Sequence, residues 1–202
     1  MYGQQVLDIA IRGDNRHLAA VETDDALIRR IAGGDKVAMQ VLFTRHHVRV
    51  GRFVLRLVRN HALAEDVVNG TFFDVWRQAG KFNSESAVST WLLAIARFKA
   101  LSELRRRSNK KPDGETALVE EDPADDPEVA ILKKNKSEIL RQCLKMLSLD
   151  HQEMIDLIYY HEKSIDEVAE IVRIPRNTVK TRAYYARQRL SQLLTARGVD
   201  MH

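Results

Sequence analysis

The 202-residue chain is 45% apolar and 30% charged, with 32 basic and 28 acidic residues for a net charge of +4, proportions that suit a soluble protein with a buried core. No apolar run reaches the ~20 residues that cross a bilayer, and the single cysteine, Cys143, excludes an internal disulfide framework or a cysteine-cluster zinc site. Nine Gly and four Pro supply few turns for an all-β fold, so an all-α protein is expected. The opening stretch MYGQQVLDIAIRGDNR has no basic start, apolar stretch or small-residue cleavage site, which predicts no secretory signal and a cytoplasmic location.

The first half reads as a helical bundle. Thr23 or Asp24 is placed to cap DALIRRIA, which Gly33-Gly34 ends. Asp35 caps the next helix, whose apolar face runs through Met39, Leu42, Phe43, Val50, Val54, Leu57 and Val58. After Asn60-His61 comes the clearest stripe of the chain, Ala64, Val67, Val68, Thr71, Phe72, Val75 and Trp76. The polar stretch GKFNSES precedes a last helix from about Ser89 to Arg107. Four helices with short connections predict a compact bundle.

Composition changes abruptly after that bundle. Between Pro112 and Glu128 there are eight acidic residues, no Lys or Arg, and three of the four prolines, the signature of a flexible acidic linker, placed at residues 109–134. The rest of the chain then holds 32 basic residues against 20 acidic ones. From Ile171 to Val199 there are seven basic residues and no acidic one, a charge balance suited to a polyanion such as nucleic acid or an anionic membrane face.

Beyond the linker the helices are shorter. Leu140, Cys143, Leu144 and Leu147 form one stripe, with Cys143 packing as a small apolar side chain. Met154, Ile155 and Ile158 begin another helix, and Glu162-Lys163 is expected as a turn. In SIDEVAEIVRIPRNTVKTRAYYARQRL, residues 164–190, Ser164 and Glu167 form a capping box and Pro175 stops the first helix. Val179, Ala183, Ala186 and Leu190 then mark the inner side of a second helix, while Lys180, Thr181, Tyr184, Arg187 and Gln188 mark its outer side. This is a helix-turn-helix pattern. A basic-polar helix of this kind fits the DNA major groove, with Arg173, Arg176, Arg182 and Arg189 available to phosphates. The other reading of the same pattern is an αα-hairpin whose basic face packs on a partner.

These segments together resemble the extracytoplasmic-function group of bacterial RNA polymerase sigma factors. DDALIRRIAGGDKVAMQVLFTRHH resembles the family's first helices, and ALAEDVVNGTFFDVWRQAGKF its polymerase-binding segment. STWLLAIARFKALSELRRR resembles its −10 reader, and the IP-x-x-TVK-x-R core its −35 reader. The resemblance implies an N-terminal extension (1–20), a four-helix region 2 (21–108), the acidic linker (109–134) and a helix-turn-helix region 4 (135–197). It also implies binding to core RNA polymerase through the β′ clamp helices and the β flap, recognition of promoter DNA, and control by an anti-sigma factor.

Residue by residue, the resemblance places polymerase contacts at Asp66 and Asn69, with Gly70 standing where the family usually has a carboxylate. Phe82, Asn83, Ser84, Glu85 and Ser86 match the loop that captures a base flipped from the −10 element, with Trp91 in the same segment. Arg97, Lys99, Arg105, Arg106 and Arg107 give the following helix a basic surface for a melted strand, and Ala94 and Phe98 depart from the Arg and Asn common there. Arg176, Lys180, Thr181, Arg182, Tyr184, Tyr185 and Arg187 form the −35 surface, Tyr185 replacing a frequent Arg. The apolar faces around Phe72 and Phe43 are expected to serve the anti-sigma partner.

The sequence has no phosphate-binding glycine loop, no Gly-x-Ser-x-Gly elbow and no His-Glu-x-x-His spacing. Adjacent His46-His47 would project ~100° apart on a helix. No catalysis, cofactor, metal or membrane insertion is therefore expected. Two alternatives stay open at this level: a sigma-like decoy that binds an anti-sigma factor without DNA, and a dimeric repressor with one helix-turn-helix.

Overall fold

The helices begin where the sequence supplies side-chain caps. In the computed structural model, which describes residues 22–109 and 131–199, Thr23 Oγ1 accepts from the Ala26 amide at the start of α1 (Asp24–Ala32). Gly33 and Gly34 close that helix, Gly34 at a positive φ of 84° that favours glycine. Asp35 Oδ1 accepts from the Val37 and Ala38 amides to start α2 (Lys36–Val58), and Asn60 Oδ1 does the same for Leu63 in α3 (His61–Gln78). A 3-10 turn (Ala79–Lys81) leads through an irregular loop to α4 (Val88–Ser108).

The predicted stripes face one core. Leu27, Ile31, Leu42, Val54, Val67, Phe72, Val75, Leu92 and Ala96 are buried together among α1 to α4, and Phe72 stands edge-on to Phe43 at 4.8 Å between ring centroids. Of the predicted α3 stripe, Ala64, Val67, Val68, Thr71, Phe72 and Val75 are buried and Trp76 partly so. The Thr71 hydroxyl donates back to the Val67 carbonyl, which satisfies the stripe's one polar member.

The second set of helices is α5 (Ile131–Lys145), α6 (Leu149–Ile155), α7 (Ile165–Val172) and α8 (Arg176–Thr195). Helix α5 opens at Ile131, inside the stretch read as linker, because the residues from Ile131 on, past the linker's last proline, Pro127, are mostly helix formers with no glycine. The expectations for residues 1–20 and for the acidic part of the linker lie outside the described residues. Cys143 is fully buried with Leu147, Leu193 and Leu194, as its stripe predicted. Helix α6 runs on as a π turn over Asp156–Tyr160.

The helix-turn-helix forms as its sequence dictates. Ser164 and Glu167 complete both halves of the capping box, and α7 ends at Val172 with Arg173 left-handed at φ 57°. Pro175 then takes the N-cap position of α8. Val179, Ala183 and Ala186 are buried.

The two helical sets also pack on each other, α7 lying along α4. Phe53 of α2 and Leu93 of α4 are buried in one cluster with Met154, Leu157, Val168, Ile171 and Val172. None of the described helices is long and apolar enough to cross a membrane.

Candidate nucleic-acid and polymerase interfaces

Helix α8 presents its polar face to solvent. Lys180, Thr181, Tyr184, Tyr185 and Arg187 are exposed, as is Arg176. The Tyr184 and Tyr185 rings meet edge to face at 5.4 Å, and the Thr181 hydroxyl donates back to the Asn177 carbonyl. Two of the expected phosphate ligands are tethered locally, Arg182 to Asp150 at 2.9 Å and Arg176 to Asp166 at 3.1 Å. Ion pairs this exposed are weak and screened, so a polyanion can displace them. The buried Val179–Ala183–Ala186 stripe holds this face rigid from behind.

The expected base-capturing loop sits between the 3-10 turn and α4. Asn83, Ser84 and Glu85 are exposed and Ser86 is half-buried. Ser84 is left-handed at φ 59°, and Asn83 Oδ1 accepts from the Glu85 amide at 3.3 Å, which folds the tip back on itself. Phe82, at the start of the loop, and Trp91 of α4 pack at 4.9 Å between ring centroids, both partly buried against the bundle core. Partly exposed rings close in sequence to exposed amide and hydroxyl groups suit an unstacked base.

Along α4 the basic residues do not behave alike. Arg105, Arg106 and Arg107 are exposed in the last turn, Arg106 pairing with Glu103. Lys99 lies across Gly70 and reaches Asp74 at 2.8 Å. A Cβ on Gly70 would stand 3.5 Å from Lys99 Nζ, an ordinary contact, so the crossing of the lysine chain does not itself require glycine here. Arg97 is held by the second helical set: Nε donates to Glu153 Oε1 at 2.7 Å and Nη2 to Oε2 at 3.1 Å. Beside it a cleft of about 310 Å³ is lined by Ala94, Arg97, Phe98, Arg105, Ile171 and Arg173, the Arg173 guanidinium standing over the Phe98 ring.

On α3, Asp66 and Asn69 are exposed on the side opposite the buried stripe, and Gly70 is half-buried under Lys99. The three therefore do not form an equally open surface. Next to Asn69 a groove of about 440 Å³ opens between α2 and α3, lined by Phe43, His47, Val48, Leu55, Glu65 and Val68 among others. Phe72 does not contribute to a docking surface, because it is only 3% exposed and belongs to the core. Its neighbour Phe73 is the exposed ring, and Phe43 reaches the groove.

Sequence reasoning missed the residues that join the two helical sets. Lys163, expected in a solvated turn, is buried, and its ammonium donates to Ser89 Oγ, Thr90 Oγ1 and Glu167 Oε1 at 2.7, 3.0 and 3.0 Å. The fully buried Thr90 donates to the same Glu167 oxygen at 2.6 Å. Burial raises the Glu167 pKa, but the hydrogen bonds from Thr90, Ser164 and Lys163 outweigh it and hold the carboxyl at about 2. One signal was available: α4 begins Val-Ser-Thr with no side-chain cap of its own, so its hydroxyls are free to pair elsewhere.

His161 packs edge-on to Phe53 at 5.6 Å and lies 3.6 Å from Asp156, whose carboxylate is paired with Arg56. Burial, followed by the charges of Arg49, Arg56 and Lys163, lowers its pKa to about 4. The unfolded chain therefore takes up a proton near pH 6.5 that the folded chain refuses until about pH 4. Stability falls with acidification across that window, by at most ~1.4 kcal/mol per pH unit for one proton. Glu167, lowered from 4.5 to about 2, adds a further loss only below pH 4.5. Chemical denaturation at pH 7.0, 5.5 and 4.5 checks this, and His161→Phe should flatten the upper part of the curve. A wild-type midpoint unchanged across the three values would contradict it.

An exposed basic helix on a helix-turn-helix, set beside a four-helix bundle, defines a two-part all-helical protein of the DNA-binding class. The family model described as Sigma-70 region 2 matches residues 42–110, and that described as Sigma-70, region 4 matches residues 137–190. The RNA polymerase sigma factor CarQ of Myxococcus xanthus is 30% identical over 83% of this chain and 95% of its own length. The ECF RNA polymerase sigma factor SigK of Mycobacterium tuberculosis is 28% identical over 78% of this chain and 86% of its own. Among solved structures, the sigma factor RpoE of Bartonella quintana, in complex with the anti-sigma factor NepR, superposes with a TM-score of 0.60 at 25% identity, covering 76% of this chain and 94% of that one. The chain belongs to the sigma-70 family of RNA polymerase sigma factors, in its extracytoplasmic-function group. It is a transcription factor that works with core RNA polymerase on promoter DNA.

Proposed function

We propose that the chain divides promoter reading between its two helical sets: α8 reads the −35 element as duplex, and the loop at 82–86 with α4 captures and holds the melted −10 strand. The observation that carries this reading is the exposed face of Lys180, Thr181, Tyr184, Tyr185 and Arg187 over a buried stripe. A side-chain set of this kind addresses base edges and phosphates in the major groove. Phe82 and Trp91 supply stacking for the strand, and Asn83, Ser84 and Ser86 supply polar groups for a base edge. Lys99, Arg106 and, once released, Arg97 supply the backbone charge.

Asp66 and Asn69 are the proposed contacts to the β′ clamp helices, and the second helical set to the β flap. The groove lined by Phe43, Val48 and Leu55 would take an anti-sigma partner, a reading supported by the relative solved with one. The chain would act in the cytoplasm, where polymerase is, and would regulate initiation rather than catalyse a reaction of its own. The family's members are transcription regulators.

Run-off transcription with purified core polymerase on genomic promoter fragments tests the assignment. Initiation that depends on this chain, and that Asp66→Arg abolishes together with core binding, is the expected result. Binding to an anti-sigma factor with no polymerase-dependent initiation would instead identify a decoy.

A further inference from the structure

Helix α8 has no acidic residue of its own, yet a carboxylate stands at each side of it. Asp166 of α7 holds Arg176 at 3.1 Å, and Asp150 of α6 holds Arg182 at 2.9 Å. Six residues separate the two arginines, which sets them ~9 Å apart along the axis and ~120° apart around it. The short way between them passes over Val179, Ala183 and Ala186, the buried stripe. They therefore stand at opposite edges of the exposed face, one toward each wall of a groove that receives the helix. Among the described residues, Lys180, Arg187 and Arg189 have no carboxylate partner, so only the edges are neutralised.

Neither aspartate is needed to start its own helix. The Ser148 hydroxyl caps α6, and Ser164 with Glu167 completes the capping box of α7, so a further first-turn carboxylate adds only its interaction with the helix dipole. Both carboxylates are open to solvent, Asp150 at 60% and Asp166 at 66% exposure, and both would meet the charge of an approaching duplex.

We infer that Asp150 and Asp166 set how tightly α8 grips DNA of any sequence: each holds back an arginine that could take a phosphate, and each puts a negative charge where that phosphate would come. The inference rests on the reading of α8 as the duplex reader and adds what limits its affinity. Phosphate contacts carry no base information and supply nearly all non-specific binding. Weakening two of them shortens the time spent on the many non-promoter sites of a genome and leaves base-edge contacts a larger share of the whole. A helix carried to its site on a polymerase tolerates the loss, because tethering raises its local concentration. The two carboxylates are a fixed setting of affinity, present whatever else is bound.

The test titrates the full chain against a mixed-sequence 20-bp duplex by fluorescence anisotropy at several salt concentrations. Asp150→Asn with Asp166→Asn keeps both shapes and removes both charges. Affinity should rise about tenfold at low salt, and about threefold in either single variant. The slope of log affinity against log salt should steepen by at most about 1.8, and the gain should shrink as salt screens it. Adding Arg176→Ala and Arg182→Ala should remove the gain. Asp25→Asn with Glu170→Gln makes the same change in net charge at exposed carboxylates that have no ion pair to α8 among the described residues, and should raise affinity less than threefold. Helical circular dichroism should stay at the wild-type value in every variant.

The ways of failing are distinct. Affinity and slope at wild-type values in the folded asparagine variants would show that these pairs limit nothing. A rise that the control pair matches would show that net charge alone is at work. A gain that survives loss of both arginines would show that the aspartates do not act by holding them. In each of these cases the duplex reading stands if Lys180→Ala with Arg187→Ala still weakens binding; if that pair also leaves the affinity untouched, α8 is not the duplex reader, and the reading falls with the inference.

Discussion

Replacing Lys180 and Arg187 together with alanine should weaken duplex promoter binding at least thirtyfold while leaving the fold and polymerase binding unchanged. The two side chains lie seven residues apart on the exposed face of α8 and contribute nothing to its buried stripe. Removing one side chain that reaches the groove or a phosphate costs about 1–3 kcal/mol, so two well-separated ones give about 2–6 kcal/mol. Where both side chains address phosphates, the slope of log affinity against log salt should also fall by about 1.8. Anisotropy titrations at several salt concentrations give both quantities. An affinity that does not move, with core binding abolished in its place, would reassign this face to a protein partner and favour the αα-hairpin reading.

The largest stability effect should come from Phe72→Ala. Phe72 is 3% exposed, stands edge-on to Phe43, and lies in the core shared by α1 to α4. Deleting a ring at such a site costs about 3–5 kcal/mol, through the burial forfeited and the cavity left behind. The effect should reach function as well, since Asp66 and Asn69 project from the opposite side of the same helix. Loosening α3 from within should therefore weaken polymerase binding without altering a residue that touches the polymerase. Phe73→Ala is the matched control: that ring is 60% exposed, and its removal should stay within about 0.5 kcal/mol on stability. Urea denaturation of both variants separates them, and equal midpoints would contradict the placement of Phe72 in the core.

Most of the helical architecture was legible in the sequence because it is set locally. Thr23, Asp35, Asn60 and Ser164 each cap a helix that an apolar period then carries forward, and Gly33-Gly34 and Pro175 mark where helices stop. The outer face of α8 was legible for the same reason, since Val179, Ala183 and Ala186 fix which side is inside. What could not be read was the pairing of surfaces far apart in the chain. Phe53 lies outside the apolar face read for its helix and Leu93 belonged to no stripe read from the sequence, yet both are buried with Met154 and Leu157. Lys163 looks like a turn lysine, and Glu153 like a solvated carboxylate on a short helix. Nothing within four residues of either predicts a partner on α4. Phe72 and Phe73 show how finely the period reads: adjacent rings on one helix point about 100° apart, and the stripe already turned Phe72, not Phe73, toward the core.

The two oxygens of Glu167 serve different masters. Oε2 accepts from the Ser164 amide and completes the capping box of α7, while Oε1 takes the Thr90 hydroxyl and the Lys163 ammonium. Loss of the Thr90 hydroxyl would thus leave Oε1 with Lys163 alone and leave Oε2, and with it the capping box that starts α7, in place.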